Sequence, residues 1–587
     1  MLGAVAASSA ADVVDAVGEA GVAGLVGWAT GITEVIVLAV NLTTVWRADS
    51  RSWRMVALLV TVIAVAAIVS TYHVFNNMYD EPAHLAAGME WLARGTYTYE
   101  PQHPPLDRIA AAVGPWLAGE RGTHYPHMYT EGRLILGVGD HYARVLTLSR
   151  VGMLPFFLVL VLTTWYWARR LASERTAALA VICVTANPNV LAHAGVAGTD
   201  IGPAAMMPAA LLAWTLWLER PTTTRSVALG VLVAVCGLTK FNAAAYWLPA
   251  AIVVALFVAF TTRRDLLRLG GLKLARPLSI SVAVAALVTW ATYRFSVGRV
   301  GAFTLPAPEF FTGLGAFFRH VTGGHPAYLF GQVRLGGWWY YDLVVIAVKT
   351  PLPLTIFGAV GIYVALKVQR SIRAGGAAEN PIGGEAAAEN TSRSAAAAEY
   401  VAPIMGMASV LLVKSATPVD IGVRLLLPMY PLLAILAALG VAWAWDHSRK
   451  VASRVAVAAA FAWLLLEPIA AHPDYIAYFN ELAGKHPEHV LVDSNLDWGQ
   501  DLYRLRDASN ELHMDSLRVH YFGTAEFRAV GLERARRLAP NERVTGWVAA
   551  SETFYAGVWA DSALHWLHAY EPVARVGHSI RLYFIKP

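Results

Sequence analysis

The sequence has little charge and almost no cysteine. Asp, Glu, Lys and Arg make up 15% of its 587 residues, against roughly 25% in an average soluble protein. That is too little charge to cover several soluble domains, and too much apolar residue for a disordered chain. The only cysteines are Cys183 and Cys236, each inside an apolar run and without a CxxC pair. This excludes a disulfide scaffold and favours small core residues over a thiolate metal site or redox chemistry. No basic cluster of signal-peptide type opens the sequence, whose first twenty residues are mildly acidic through Asp12, Asp15 and Glu19. No short internal repeat stands out.

What is present is apolar. Hydrophobic residues make up 56% and mean hydropathy is +0.47, which points to many membrane-spanning helices of ~20 residues each. About twelve candidate spans lie near 24–46, 53–75, 144–168, 176–195, 201–219, 226–240, 242–262, 277–295, 341–367, 401–414, 423–446 and 453–471. Threaded in order, they place Arg47, Arg51 and Arg54, then Arg169, Arg170 and Arg175, then Arg220 and Arg225, on one side. Arg263, Arg264, Arg268, Lys273 and Arg276, and finally Arg449, Lys450 and Arg454, fall on the same side. The positive-inside rule makes that side cytoplasmic, so the net charge of +5 reflects topology and implies no nucleic-acid partner.

The expected architecture is a polytopic α-helical membrane protein with a small outer α/β domain. Residues 1–52 hold an extra N-terminal span, 53–471 the main transmembrane part with outer loops 76–143 and 296–340, and 472–587 the outer domain. The Ala-, Gly- and Glu-rich stretch 371–399 reads as a flexible or partly helical linker on the cytoplasmic side. In the tail, VLVDS, LRVHYF, TGWVAAS and IRLYFIKP read as strands, and LDWGQDLYRLRDAS as a helix start and helix.

The chemistry-bearing stretch follows the second span: NNMYDEPAHLAAGMEWLARGTYTYEPQHPPLDRIAAAVGPWLAG. Asp80 and Glu81 are adjacent carboxylates where the chain leaves the bilayer, and Pro82 suits a first helical turn. One reading is that they only cap that helix; the other is that they act on a lipid-linked substrate. His84, Gly88 and Trp91 share a helical face. His103-Pro104-Pro105 is a stiff extended turn before an amphipathic helix over 105–118. DEPAH lacks the leading His of a zinc-protease HExxH. In DSNLDWGQD, carboxylates Asp493, Asp497 and Asp501 flank Trp498; an Asx-turn and helix cap are favoured over a sugar platform.

The run YDEPAHLAAGMEWLARGTYTYEPQHPPL resembles the first outer loop of the GT-C membrane glycosyltransferases, near the protein O-mannosyltransferase and aminoarabinose transferase group (glycosyltransferase family 39 in the broad sense). NPNVLAHAGVAGTD, CGLTKFNA, YLFGQVRLGGWWYYDLVVIAVKTPLPL, IGVRLLLPMYPLL and HPDYIAYFNELAG follow in the family's order. The resemblance implies an inverting enzyme of the cell membrane, with its site facing outward. It would move a sugar from a polyprenyl phosphate to a protein, lipid or glycan acceptor, among membrane lipids. Polyprenyl phosphate leaves as an anion without a general acid, so one base suffices, unlike the carboxylate pair of glycosidases.

On that resemblance Asp80 is the base and Glu81 orients the site or a cation. Lys240, Lys349 and Arg424 are candidates for the donor phosphate, as charges near helix ends or inside a span; snorkelling or a structural ion pair is the alternative for each. His84, His103 and Asp200 are candidates for acceptor binding or support, with a helix cap the alternative for Asp200. A divalent cation could bridge Asp80 and Asp200, and the resemblance leaves metal use open. Gln332 and Arg334 depart from the family pattern, in which a Glu is expected. A transporter or flippase would show broken helices and inverted repeats, neither evident in the sequence. A catalytically silent scaffold subunit of the same fold is the remaining alternative.

Overall fold

The computed structural model describes residues 46, 49–261, 270–374, 393–559 and 561–587. All of the expected first span near 24–46 except Trp46, together with Arg47 and the Arg263, Arg264 and Arg268 cluster, lies outside the described residues, as does most of the expected linker. The ends of that linker are helical, in Leu352–Arg373 and Arg393–Ser415.

Among the described residues nine helices are long and apolar enough to cross a membrane, and the chain is a polytopic helical membrane protein. Ile201–Glu219 and Met429–His447 are apolar on every side and form the centre. Leu274–Thr292 and Val451–Ala471 are mostly exposed and make the periphery, as lipid-facing helices do. Helices approach closely where small residues meet: a Cβ on Gly361 would lie 1.7 Å from the Leu436 carbonyl oxygen, the small-residue contact of membrane helices.

Among the described residues, arginines of the loops near 54, 169–175 and 220–225 gather at one end. There Arg54 pairs with Glu174 at 2.8 Å, Arg170 with Glu399 at 2.5 Å, Arg175 with Asp446 at 2.6 Å and Arg225 with Glu219 at 3.1 Å.

Two expected spans are broken, contrary to the sequence reading. Residues 176–195 form Glu174–Thr185 and Pro188–Ala194, bent by 70°. Residues 341–367 form Tyr341–Lys349 and Leu352–Arg373, because Pro351 has no amide to donate and pushes Thr350 into an extended conformation. Carbonyls freed at the second break are taken by side chains. Asn189 Nδ2 donates to Lys349 O at 2.6 Å, and Asn480 Nδ2 to Ala347 O and Thr350 O at 2.6 and 2.7 Å. Irregular backbone at this depth persists because protein surrounds it.

The end opposite the arginine clusters carries the long loops. Helices Glu81–Arg94 and Leu106–Leu117 cross so tightly that a Cβ on Gly88 would meet the Arg108 carbonyl oxygen at 2.0 Å. Residues 296–340 hold the hairpins β1 (Val297–Val300) with β2 (Phe303–Pro306), and β3 (Pro326–Leu329) with β4 (Gln332–Leu335). Gln332 and Arg334 sit exposed on β4.

The C-terminal part forms a five-stranded sheet in the order β6-β5-β7-β9-β8. These are β5 (Leu517–His520), β6 (Ala535–Arg537), β7 (Gly546–Ser551), β8 (Ala574–Val576) and β9 (Ile580–Ile585); β5 runs parallel to β6 and β7, and β9 antiparallel to β7 and β8. VLVDS is not a strand. Val492 packs with Tyr328, Leu496 and Val558, and Asp493, at φ 57°, opens a 3₁₀ turn. The sheet does not close its own core: Val519 and Leu582 share one apolar cluster with Leu85, Met89, Tyr142 and Val145.

Candidate active site

Asp80 stands at the N-cap of Glu81–Arg94, yet its side chain caps no amide of that helix. It accepts instead from Arg424 Nη1 at 3.1 Å and from the Tyr129 hydroxyl at 3.3 Å. A quarter of the side chain remains exposed. The capping reading therefore does not describe Asp80.

Glu81 turns the other way and is sealed, 2% exposed. Arg150 grips it with Nε to Oε1 at 2.9 Å and Nη2 to Oε2 at 2.8 Å. Backbone amides of Met78 and Ala197 complete the set at 2.7 and 2.8 Å. Two donors on each oxygen leave Glu81 nothing for a substrate. What it does is lock the helix start, so that the direction of Asp80 is fixed.

Arg424 sits in the 3₁₀ turn Val423–Leu426 with its guanidinium over the Trp498 ring at 4.6 Å. Its Nε is buried without a hydrogen-bond partner. One bond to Asp80 thus leaves donors to spare. Trp498 is 3% exposed, so it serves as a floor for Arg424 and not as an open sugar platform. Asp497 makes the Asx-type bond to the Gly499 amide at 3.2 Å and also accepts from Thr553 N at 2.9 Å. Burial pushes its carboxyl up to about 7. Asp501 is taken by Ser579 and Arg504. Asp493, raised by burial, accepts from Trp559 Nε1 at 3.1 Å and feels both Arg424 and Asp80.

A second ion pair lies beside the first. Lys240 Nζ donates to Asp200 Oδ1 at 2.6 Å, and His193 Nδ1 lies 3.8 Å from the other oxygen. Burial works against the Asp200 carboxylate, but Lys240 and Arg424 outweigh it and hold it at about 2. Asp200 occupies the N-cap position without a side-chain capping bond. Lys240, Arg424 and Asp80 all act on His320, whose Nε2 is 3.1 Å from that of His325. The two ion pairs and the two histidines are therefore electrostatic neighbours.

His84 and His103 lie behind it. Arg108, fully buried, donates Nε to His84 Nδ1 at 3.2 Å and Nη1 to the Tyr97 hydroxyl at 3.1 Å, and also pairs with Glu100. Burial, then Arg108, lowers His84 to about 3, so it is neutral. His103 is neutral for the same reasons, and the two rings meet edge-on at 6.0 Å.

Lys349 acts on His193 together with Arg424 and Lys240, and spends its donors on backbone. Its Nζ donates to Ile476 O at 2.8 Å and Asn495 O at 2.7 Å, tying the C-terminal segment to the broken span. Among the described residues no three His, Cys, Asp or Glu side chains gather as a metal-ligand group. Asp80 and Asp200 each already face a cation. That donor set does not fit a resident divalent ion.

Sequence reasoning missed Arg150, Arg108, Glu100, Tyr129, and the His320–His325 pair. Arg150, an arginine inside an apolar span, carried a signal that could have been used.

No family model and no curated protein matches the chain. Among solved structures it is similar to ArnT from Cupriavidus metallidurans bound to undecaprenyl phosphate, at 16% identity, covering 89% of this chain and 97% of that one, with a TM-score of 0.46. It is also similar to the archaeal oligosaccharyltransferase AglB from Archaeoglobus fulgidus in complex with an inhibitory peptide and a dolichol-phosphate, at 14% identity, covering 88% and 72%, with a TM-score of 0.42.

Proposed function

We propose that this protein is an inverting glycosyltransferase that takes its sugar from a polyprenyl phosphate, with Asp80 as base. The observation that carries the reading is the state of Asp80. It is a partly open carboxylate at a helix start that caps nothing, aimed by a sealed neighbour and held by a single bond from Arg424, with the Lys240–Asp200 ion pair close to that arginine. The resemblance of the YDEPAH stretch and the segments after it to GT-C enzymes supports the same assignment.

The chemistry follows from these groups. Donor phosphate draws Arg424 off Asp80, using the unpartnered Nε, while Lys240 supplies a second positive charge beside it. The freed carboxylate takes the proton of an acceptor hydroxyl. That oxygen forms a bond to the sugar C1 from the face opposite the phosphate, the bond from C1 to the phosphate oxygen breaks, and the polyprenyl phosphate leaves with the electron pair. The Tyr129 hydroxyl keeps Asp80 oriented throughout. The acceptor side faces outward in this reading, since the arginine clusters mark the opposite end as cytoplasmic.

The test is turnover by reconstituted protein with an undecaprenyl-phosphate sugar. Asp80→Asn is expected to abolish transfer with the folded yield retained. Normal transfer by that variant would remove the assignment.

A further inference from the structure

At the end of the C-terminal sheet remote from Asp80 the chain opens a groove of about 780 Å³, within the range of ligand sites. The direction of the strands fixes its position. β7 ends at Ser551, two residues before Thr553, which donates to Asp497 under the candidate site. Just past the end of β5, Tyr521 donates its hydroxyl to Gly499 O at 2.8 Å. The groove is lined from the other end: by Arg518 near the start of β5, Trp547 near the start of β7, and Lys586 just past β9. The six residues of β7, at ~3.3 Å each, put roughly 17 Å between the two ends.

Its lining is basic and aromatic. Arg518, Arg536, Arg543 and Lys586 supply the charge, and no carboxylate lines it. Among the described residues the one ion pair to these four is the long contact of 3.9 Å from Arg518 to Glu542. Elsewhere arginines are closely matched, as in Arg170 with Glu399 at 2.5 Å and Arg504 with Asp474 at 2.6 Å. Four cations left together repel one another and raise the local positive potential, which an anion relieves. Trp547, Trp566 and Tyr570 add flat apolar faces between them, with Trp566 and Tyr570 edge-to-face at 5.9 Å.

We propose that this groove binds an anionic glycan. The sugar rings lie against the aromatic faces, and carboxylates or phosphates on the chain meet Arg518, Arg536, Arg543 and Lys586. A neutral glycan leaves the four cations unanswered. A lipid headgroup is disfavoured by position, because it is Tyr521 and Thr524, past the opposite end of β5, that meet Asn76 and Tyr79 where the chain leaves the helix Ser50–Ser70. The site is separate from Asp80 and needs no turnover.

The test uses full-length protein in nanodiscs of neutral lipid, without donor lipid, titrated with fluorescent oligogalacturonate and with a neutral maltooligosaccharide of equal length. Oligogalacturonate is expected to bind at least about tenfold more tightly, the scale of one charge-assisted hydrogen bond. Arg536→Glu with Arg543→Glu, both exposed, should weaken it by about tenfold or more while the thermal midpoint holds. Tyr570→Ala should also weaken it, which a purely ionic contact would not show. Equal binding of the neutral chain, or no change in the double variant, overturns the proposal. So does equally tight binding of inorganic polyphosphate, which would make the groove a reader of charge alone, or full displacement by phosphatidylglycerol vesicles, which would make it a lipid contact. Because the titration contains no donor, its result is independent of the assignment of Asp80.

Discussion

One residue apart, the chain builds two very different regions around a carboxylate. Behind Glu81 lies a closed network in which Arg150 and two backbone amides saturate both oxygens. Asp80, a quarter exposed, takes single contacts from one arginine and one tyrosine hydroxyl, and the arginine keeps a free donor. Both acids face a guanidinium. A fully satisfied buried pair is rigid and chemically spent, whereas a partly satisfied pair at an opening can exchange partners. The closed region holds the open one in place, and each can be broken separately.

The largest effect is expected at Asp80. Asp80→Asn removes the base and should lower sugar transfer by ~10²–10⁴-fold, the contribution of a positioned base, with the thermal unfolding midpoint near that of the unaltered protein. Glu81→Ala should do the reverse. It leaves Arg150, 1% exposed, with backbone carbonyls of Tyr72, Phe75 and Asn76 but no countercharge, and breaking a buried pair costs ~3–5 kcal/mol. Reduced folded yield and a lowered midpoint are the expected readout. If Glu81→Ala folds normally and loses only activity, the contrast between the two regions is wrong.

This contrast was half legible in the sequence. The DEPAH stretch and its place at a span end were readable from local apolar runs and from the resemblance. The partners were not: Arg150 and Ala197 lie 69 and 116 residues from Glu81, and no local pattern encodes such a pairing. Lys349 was correctly read as deep, but no local pattern announces the two carbonyls, Ile476 O and Asn495 O, that it holds. The break at Thr350–Pro351 was written in the sequence and overridden by the length of the apolar run. VLVDS has strand composition but found no sheet edge, so its valines went into a side-chain cluster.

A smaller effect separates the cations. Arg424→Ala and Lys240→Ala should each raise the donor KM by about 10–100-fold, since hydrogen bonds to charged groups are worth ~1.5–3 kcal/mol. Lys349→Met should leave donor KM unchanged and lower stability, because its two acceptors, Ile476 O and Asn495 O, lose their donor. Steady-state kinetics at varied donor concentration, beside thermal unfolding, distinguishes the two patterns. A donor KM that rises with Lys349→Met would return that residue to the phosphate site.

The smallest effect tests whether carboxylates under the site are sealed in their neutral form. Burial raises Asp497 from about 3.8 in the unfolded chain to about 7 in the folded one. Between those values the folded protein binds the proton and the unfolded chain does not. Stability from this group is therefore greatest at the acidic end and falls as pH rises toward about 7, above which it is flat. Asp497→Asn, which cannot ionise, should unfold with a shallower dependence over pH 5 to 7 than the unaltered protein. The comparison of slopes cancels every other titrating group common to both proteins. Equal slopes would mean that Asp497 is already ionised at pH 5, and that the floor beneath Arg424 carries a negative charge of its own.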